Sequence, residues 1–270
     1  MRVVDRRFAG YALDLDGTVY LGDELVPGAR ETIEHLRADG ARVVFVTNKP
    51  LETRDAYAAK LVRLGVTVDP VDVVTALDSV IAYLTEHHPD RRLLTIAEPV
   101  TTGVLAAAGW PIVEDPAHAD VVVVSFDRTF DYAKLLAGYR AVAHHGAAII
   151  ATNPDRTCPT PDGGLPDCAA MLAALEACTG RRAEAVLGKP SAWMGHAALQ
   201  RLGVAADESA MVGDRLETDV AMGQGVGMAG ILVLTGATRA EDVPAAGTRP
   251  DYTIDTIAGL VSAARPQEDR

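Results

Sequence analysis

The sequence predicts an α/β protein with a doubly wound parallel sheet, and three observations carry this prediction. Apolar β-prone runs alternate with amphipathic helical patterns along most of the 270 residues. The run Arg42–Val46 (RVVFV) is almost continuously apolar, as expected of a strand with helices on both faces of its sheet. Strands that end in short polar motifs occur near both ends of the chain. We therefore expect a core domain built from both chain ends, with a second domain inserted between them.

The first segment of the core begins with strands at residues 8–13 and 42–46. Pro27-Gly28 opens an amphipathic helix that Gly40 ends, and a second helix after Thr47-Asn48 ends at Gly65. After about residue 183 the same pattern returns, with strands ending at Leu187, at residues 210–212 and at residues 231–234. The predicted core domain therefore comprises residues 1–78 and 183–270, with a polar tail at residues 265–270.

The predicted insert, residues 79–182, has an α/β pattern of its own. Its strands are expected at residues 93–97, 121–125 and 147–151, and its helices at 131–144 and 167–178. The Pro-, Gly- and Asp-rich stretch at residues 153–166 predicts an exposed loop.

Composition narrows the class of partner. There are 25 Lys and Arg residues against 37 Asp and Glu, which gives a formal net charge of −12. This charge argues against binding to nucleic acids or anionic membranes, but it does not exclude a small anionic substrate. The three cysteines form no CxxC pair, so we expect reduced thiols. The N-terminal residues do not resemble a secretory signal, and no run of eighteen apolar residues occurs, so we expect a cytoplasmic protein.

Polar side chains follow several predicted strands where each strand ends. In doubly wound sheets, ligands collect outside the carboxyl ends of the strands. Carboxylates suit Mg²⁺, hydroxyl and amide donors suit phosphoryl oxygens, and an ammonium adds a fixed positive charge. The residues at these strand ends are Asp14 and Asp16, then Thr47-Asn48, then Gly188-Lys189, then Gly213-Asp214 followed by Asp219.

Each motif also has an ordinary structural explanation. Asp14 and Asp16 could belong to a tight turn, because Asp-Gly favours turns, and Thr47-Asn48 could cap a strand end. Asp214 could be a helix N-cap. Lys189 could be a solvated charge, although a cation beside a helix N-terminus is unfavourable and hints at an anionic partner. The four motifs in this order favour the functional interpretation.

The motifs together resemble a known family. DLDGT (14–18), VTN (46–48), GKP (188–190) and GDRLETD (213–219) are similar to the four motifs of the haloacid dehalogenase superfamily. The opening LDLDGTVYLGDELVPGA and the insert's ATNPD (151–155) resemble its class IIA phosphatases, and the similarity runs from Phe8 to about Asp255. The resemblance implies a Rossmann-like core with an α/β cap inserted after the second motif, and a homodimer formed through the cap. It also implies a small phosphorylated substrate, such as a sugar, polyol, glycolate, nucleotide or pyridoxal phosphate.

The resemblance also implies roles for individual residues. Asp14 would be the nucleophile that forms an aspartyl phosphate, and Asp16 the general acid and base. The Mg²⁺ cofactor would be bound by Asp14, Asp214 and the backbone carbonyl of Asp16. Asp219 would orient metal-bound waters or Lys189. The remaining phosphate oxygens would be held by Thr47, the backbone N–H of Asn48, and Lys189.

The cap residues expected to select the leaving group are Asn153, Asp155 and Arg156, together with Lys49. Two departures from the family pattern bear on specificity. Lys49 stands where relatives commonly have a second Asn, and Asp167-Cys168 follows Pro166 where relatives usually have Gly and small residues.

Other functions stay open at this point. The scaffold could carry phosphotransfer or carbon–halogen hydrolysis, although Asp16 favours phosphoryl chemistry because dehalogenase relatives lack a carboxylate there. A receiver-like module that accepts phosphate on Asp14 without turnover is a further alternative, but such domains are about half this length and lack an insert. Gly225–Gly230 matches GxGxxG, yet it precedes a predicted strand and so lacks the context of a dinucleotide site.

Overall fold

The computed structural model describes residues 4–160 and 163–262. The predicted polar tail at residues 265–270 lies outside the described residues. The chain divides into two compact units. Unit 1 takes in the described residues of Met1–Thr47, Arg54–Val74 and Pro190–Arg270, and unit 2 those of Asn48–Thr53 and Thr75–Lys189.

Strands and helices alternate through most of the described chain. The strands are β1 (Gly10–Asp14), β2 (Tyr20–Leu21), β3 (Glu24–Leu25), β4 (Arg42–Thr47), β5 (Val73–Thr75), β6 (Leu93–Ile96), β7 (Val121–Val124), β8 (Ala148–Ala151), β9 (Thr157–Thr160), β10 (Gly163–Pro166), β11 (Ala185–Val186), β12 (Ser209–Gly213), β13 (Ala229–Val233) and β14 (Tyr252–Ile254). The α-helices are α1 (Ala29–Ala38), α2 (Arg54–Arg63), α3 (Ala76–His87), α4 (Pro99–Ala107), α5 (Tyr132–His145), α6 (Cys168–Thr179), α7 (Ala192–Leu202), α8 (Ala221–Gly225) and α9 (Gly259–Ser262). A π-helix covers Leu216–Val220. None of the described helices has the length and apolar character that crossing a bilayer would require.

Unit 1 is built on a six-stranded sheet with the order β14-β13-β12-β1-β4-β5. Side chains alternate between its two faces with the period of two that strands impose. Tyr11 and Leu13 of β1 belong to one buried cluster with Ile33 of α1, whereas Ala12 belongs to a second buried cluster with Met194 of α7. Helices therefore cover both faces, which confirms the predicted doubly wound α/β fold.

Unit 2 has a four-stranded sheet with the order β11-β8-β7-β6, and its described strand pairs are parallel. All four valines of β7 are buried. Val122 and Val124 of this strand share a buried cluster with Ala141 of α5 and Leu175 of α6. This cluster is the core of the α/β insert.

The prediction of an exposed loop at residues 153–166 is wrong in part. Thr157–Thr160 and Gly163–Pro166 pair antiparallel as β9 and β10, and both Asn153 and Cys158 are buried. Proline and glycine disfavour central strands. Both strands of an isolated two-stranded ribbon are edges, however, so Pro159 can pair with Gly164 there. The Pro- and Gly-rich composition that predicted a loop therefore does not exclude this ribbon.

Candidate active site

The carboxyl ends of the central strands of unit 1 carry three of the predicted site residues. Asp14 is the last residue of β1, Thr47 is the last residue of β4, and Asp214 directly follows β12. Asp14 pairs with Val46 and its neighbour Leu13 with Val212, so the three strand ends lie at one edge of the sheet. All three side chains are buried.

Three carboxylates of unit 1 form what we call the carboxylate cluster: Asp14, Asp214 and Asp219. Each offers an oxygen, and these oxygens all lie within 4.8 Å of one another, although the residues are only 6%, 4% and 1% exposed. Buried like charges at this separation repel strongly unless a cation compensates them. Oxygen donors of this kind are the ligands of hard divalent cations. The donor set therefore fits a divalent metal.

Close packing fixes the position of Asp214. Its Oδ2 accepts a hydrogen bond of 2.5 Å from the backbone N–H of Ala237. A Cβ atom at Gly236 would lie 2.0 Å from that oxygen, and one at Gly17 would lie 2.6 Å from it. Gly17 also has a φ of +92°, which side-chain-bearing residues rarely adopt. The glycine of the DGT motif is thus required for both its backbone conformation and the room it leaves for Asp214.

Asp219 reaches the cluster from the π-helix. Its Oδ2 accepts a hydrogen bond of 3.0 Å from the backbone N–H of Arg215, one residue before the π-helix begins. A Cβ atom at Gly213 would lie 2.3 Å from both Cβ and Cγ of Asp219. The wider helical turn therefore lays this carboxylate against the end of β12. Single π-type turns are frequent at functional sites.

Asp16 lies in the loop after β1 and is half-buried. The loop is held by the backbone N–H of Gly17, which donates to Tyr20 O at 2.8 Å, and by Thr235 Oγ1, which donates to Gly17 O at 2.5 Å. Burial raises the pKa of Tyr20, and the nearby charge of Asp16 acts in the same direction. The carboxylate of Asp16 is not among the three that form the cluster.

A second group of predicted site residues meets within unit 2. Asn48 Nδ2 donates to Asp155 Oδ2 at 3.0 Å and to Lys189 O at 3.1 Å, and Asn48 Oδ1 accepts from Lys189 N at 2.7 Å. Asn153 Nδ2 donates to Asn48 O at 3.3 Å. Lys49 is half-buried, and Arg156 is exposed. The structure thus brings Asn153 and Asp155 to Asn48, which the sequence analysis had not connected.

Asp167 is buried beside this group as the N-cap of α6, where its Oδ1 accepts from Cys168 N at 2.6 Å. Burial raises the pKa of Asp167 to about 6, and the charge of Asp155 adds to the rise, while the Cys168 hydrogen bond opposes it. Burial likewise raises the pKa of the Cys168 thiol to about 11. The thiol is therefore protonated at neutral pH and is not a reactive thiolate.

Sequence reasoning missed two features of the site. The first is Gly236, which lies within a loop between β13 and β14 and carries no motif signal. The second is the membership of Asp219 in the carboxylate cluster, because the π-helix that positions it has no simple periodicity in sequence. The GDRLETD motif identified Asp219 as a candidate but did not predict how close it lies to Asp14.

Comparison with known proteins shows which family the chain resembles. Residues 11–111 match the family of haloacid dehalogenase-like hydrolases, and residues 186–260 match a second model, of HAD-hydrolase-like proteins. The chain is 37% identical to the sugar-phosphatase AraL of Bacillus subtilis, over 95% of this chain and 93% of that protein. It is 32% identical to the acid sugar phosphatase of Staphylococcus aureus, over 93% of this chain and 96% of that protein.

Solved structures of phosphatases are also similar to this chain. A 4-nitrophenylphosphatase from Thermotoga maritima superimposes with a TM-score of 0.90 at 36% identity, covering 96% of this chain and 98% of that one. A glycerol phosphate phosphatase from Mycobacterium tuberculosis, solved in complex with magnesium, superimposes with a TM-score of 0.87 at 32% identity, covering 96% of this chain and 78% of that one.

The chain therefore belongs to the haloacid dehalogenase-like hydrolases. Within them it is a class IIA phosphatase, as the four motifs and the ATNPD segment predicted.

Proposed function

We propose that this phosphatase hydrolyses a small phosphate monoester, of the sugar phosphate class, with Mg²⁺ as its cofactor. The observation that carries the proposal is the buried carboxylate cluster at the carboxyl ends of β1 and β12, whose oxygens lie within 4.8 Å of one another. The sugar phosphatases among its relatives support the substrate class, and the magnesium complex of one structural neighbour supports the metal.

Asp14 and Asp214, with the backbone carbonyl of Asp16, would hold the Mg²⁺, and Asp219 lies within reach of the same position. When bound, the cation offsets the repulsion between the nucleophile and the phosphate dianion and stabilises the charge of the transition state. The crowding of Asp214 by Gly17 and Gly236 supports this role, because a carboxylate held in place loses little side-chain entropy when it binds a metal.

The chain's own residues perform the two chemical steps. A carboxylate oxygen of Asp14 attacks phosphorus and forms an aspartyl phosphate, while the bond from phosphorus to the ester oxygen breaks. Asp16 donates a proton to the departing alkoxide. It then takes a proton from the water that attacks the aspartyl phosphate, releasing inorganic phosphate and restoring Asp14. Such general acid–base catalysis contributes roughly 10²–10⁴-fold.

The remaining phosphate oxygens are held by Thr47, by the backbone N–H of Asn48 and by the ammonium of Lys189. Thr47 is only 3% exposed and Lys189 only 3%, so both would act in a poorly hydrated setting where hydrogen bonds to an anion are strong.

We assign residues 79–182 to a cap that selects the leaving group. Of the four predicted specificity residues, Asn153 and Asp155 are engaged with Asn48. Lys49 and Arg156 stay candidates for contact with the substrate, because each carries a positive charge that suits a phosphate ester. Replacing Lys49 by asparagine should then change the ranking of substrates, whereas an equal effect on all substrates would exclude it from recognition. A cytoplasmic location and a homodimer formed through the cap stay part of the proposal.

The direct test is phosphate release from a panel of sugar, polyol, glycolate, nucleotide and pyridoxal phosphates, with and without Mg²⁺. We expect metal-dependent release, fastest with a sugar phosphate, that disappears in Asp14→Asn and persists in the exposed control Asp207→Asn. Metal-dependent release retained by Asp14→Asn would exclude Asp14 as the nucleophile. A folded wild-type protein that binds Mg²⁺ and releases phosphate from no compound would favour a receiver-like role without turnover.

A further inference from the structure

The side chain of Asn48 is bonded to both backbone groups of a single residue. Its Oδ1 accepts from Lys189 N at 2.7 Å, and its Nδ2 donates to Lys189 O at 3.1 Å. The two residues are 8% and 3% exposed, so water is poorly placed to replace either hydrogen bond. Asn48 therefore fixes the main chain of Lys189, and with it the base of the Lys189 side chain.

This pairing works in only one orientation of the Asn48 amide. Rotating the amide by half a turn would set its NH₂ group against the N–H of Lys189 and its oxygen against the carbonyl, so both hydrogen bonds would be lost. A third neighbour selects the orientation. Asp155 Oδ2 accepts from Asn48 Nδ2 at 3.0 Å, and an ionised carboxylate can only accept. A flipped amide would place its oxygen against that carboxylate.

The surroundings of Asp155 hold it in this position. The backbone N–H of Asp155 donates to Asn153 Oδ1 at 2.9 Å, and Asn153 Nδ2 donates to Asn48 O at 3.3 Å. On the other side, a Cβ atom at Gly188 would lie 2.6 Å from Asn48 Oδ1. The glycine of the GKP motif thus leaves the space in which the amide oxygen sits. The backbone of Asp155 is consequently held by the buried side chain of Asn153.

We propose that Asp155 is a positioning residue, which orients the Asn48 amide so that Asn48 holds the Lys189 backbone where its ammonium can bind the phosphoryl group. The inference rests on the proposed function, because that function assigns Lys189 to the phosphate. The sequence analysis expected Asp155 to select the leaving group. In this proposal Asp155 instead supports binding of the phosphoryl group, which every substrate has in common. Its effects should therefore not depend on which phosphate ester is offered.

The test compares Asp155→Ala, which removes the acceptor, with Asp155→Asn, which keeps an acceptor oxygen at the same reach. Asp115→Ala is the matched control, because exposed Asp115 lies in the same unit and its carboxylate accepts a hydrogen bond from the backbone N–H of Ala117 instead of from Asn48. We expect Asp155→Ala to lower kcat/KM for all substrates of the panel by up to roughly 100-fold, without changing their ranking. The inhibition constant of inorganic phosphate should rise, and Asp155→Asn should recover most of both losses.

Each other outcome counts against the proposal. A changed ranking of substrates with unchanged inhibition by inorganic phosphate would show that Asp155 reads the leaving group. A lower melting temperature with unchanged kinetics and phosphate inhibition would show a structural role alone. If Asp155→Ala does not fold, Asp155→Glu, which keeps the charge but displaces it by one methylene, should still weaken inhibition by phosphate, and unchanged inhibition would overturn the inference. Absence of phosphatase activity in the wild type would instead refute the proposed function, so the two failures are distinguishable.

Discussion

Replacing Asp167 by asparagine should stabilise the protein, and the gain should be larger at pH 8 than at pH 5. Asp167 caps α6 through the hydrogen bond from Cys168 N to its Oδ1, and asparagine is an equally good N-cap. The carboxylate is only 4% exposed and lies near the charge of Asp155, so its ionised form is disfavoured in the folded protein. Asparagine keeps the cap and removes that cost.

The size of the gain follows from the pKa. Burial raises the pKa of Asp167 from 3.8 to about 6, so between these values the unfolded chain releases a proton that the folded protein retains. The free energy of unfolding of the wild type therefore falls as the pH rises from about 4 to about 6, and is then constant with respect to this group. The asparagine variant should be more stable by about 3 kcal/mol at pH 8 and by roughly half as much at pH 5.

The assay is urea denaturation of both proteins at pH 5, 6, 7 and 8, with the free energy of unfolding extrapolated to water. The control is Asp131→Asn, because Asp131 is likewise an N-cap, accepting from the backbone N–H of Lys134 in the first turn of α5, but is exposed, so its charge remains hydrated. A gain from Asp167→Asn that is equal at pH 5 and pH 8, or no gain at either, would refute the argument that the buried charge destabilises the fold.

Three further predictions concern the site and its surroundings. Asp214→Ala should weaken Mg²⁺ binding in calorimetry, and an unchanged affinity would remove Asp214 from the metal site. Gly188→Ala should lower the free energy of unfolding by roughly 1–3 kcal/mol in urea denaturation, because the added Cβ would lie 2.6 Å from the carbonyl oxygen of Thr152. Stability equal to that of the wild type would show that the backbone can shift there. Tyr20→Phe should raise the free energy of unfolding by about 1 kcal/mol in the same assay, because the buried Tyr20 hydroxyl has no hydrogen-bond partner among the described residues. A loss of stability would indicate that the hydroxyl does make a hydrogen bond.

The sequence predicted the strands of the site well because each is an apolar run with a polar end. The strand expected at residues 42–46 is observed at Arg42–Thr47, and the one expected at 210–212 is observed at Ser209–Gly213. Burial on both faces of the sheet demands such runs, and the polar residues that follow them mark the edge where a ligand can bind. The fold class and the neighbourhood of Asp14 and Asp214 follow from this pattern.

Features that depend on contacts between residues far apart in the sequence could not be predicted in the same way. Gly236 matters only because Asp214 Oδ2 comes close to it, and the proximity of Asp155 to Asn48 depends on how the chain returns after β8. Helix α3 was not predicted either, although the sequence contains a signal for the start of this helix. Thr75 and Asp78 form a capping box in the structure, and the spacing of these two residues is the sequence signature of that motif.

The strand order of unit 1 has a consequence for synthesis of the protein. In the centre of the sheet, Gly10 of β1 pairs with Ser209 of β12, so β1 cannot meet this neighbour until the long stretch of chain between them has been synthesised. Unit 2 lies almost wholly within Thr75–Lys189 and can complete its own sheet earlier. Pairing across so long a separation folds slowly and leaves strand edges open in the meantime. The nascent chain is therefore most exposed to aggregation through the edge of β1 that later pairs with β12, and truncation after β11 should leave unit 1 unable to complete its sheet.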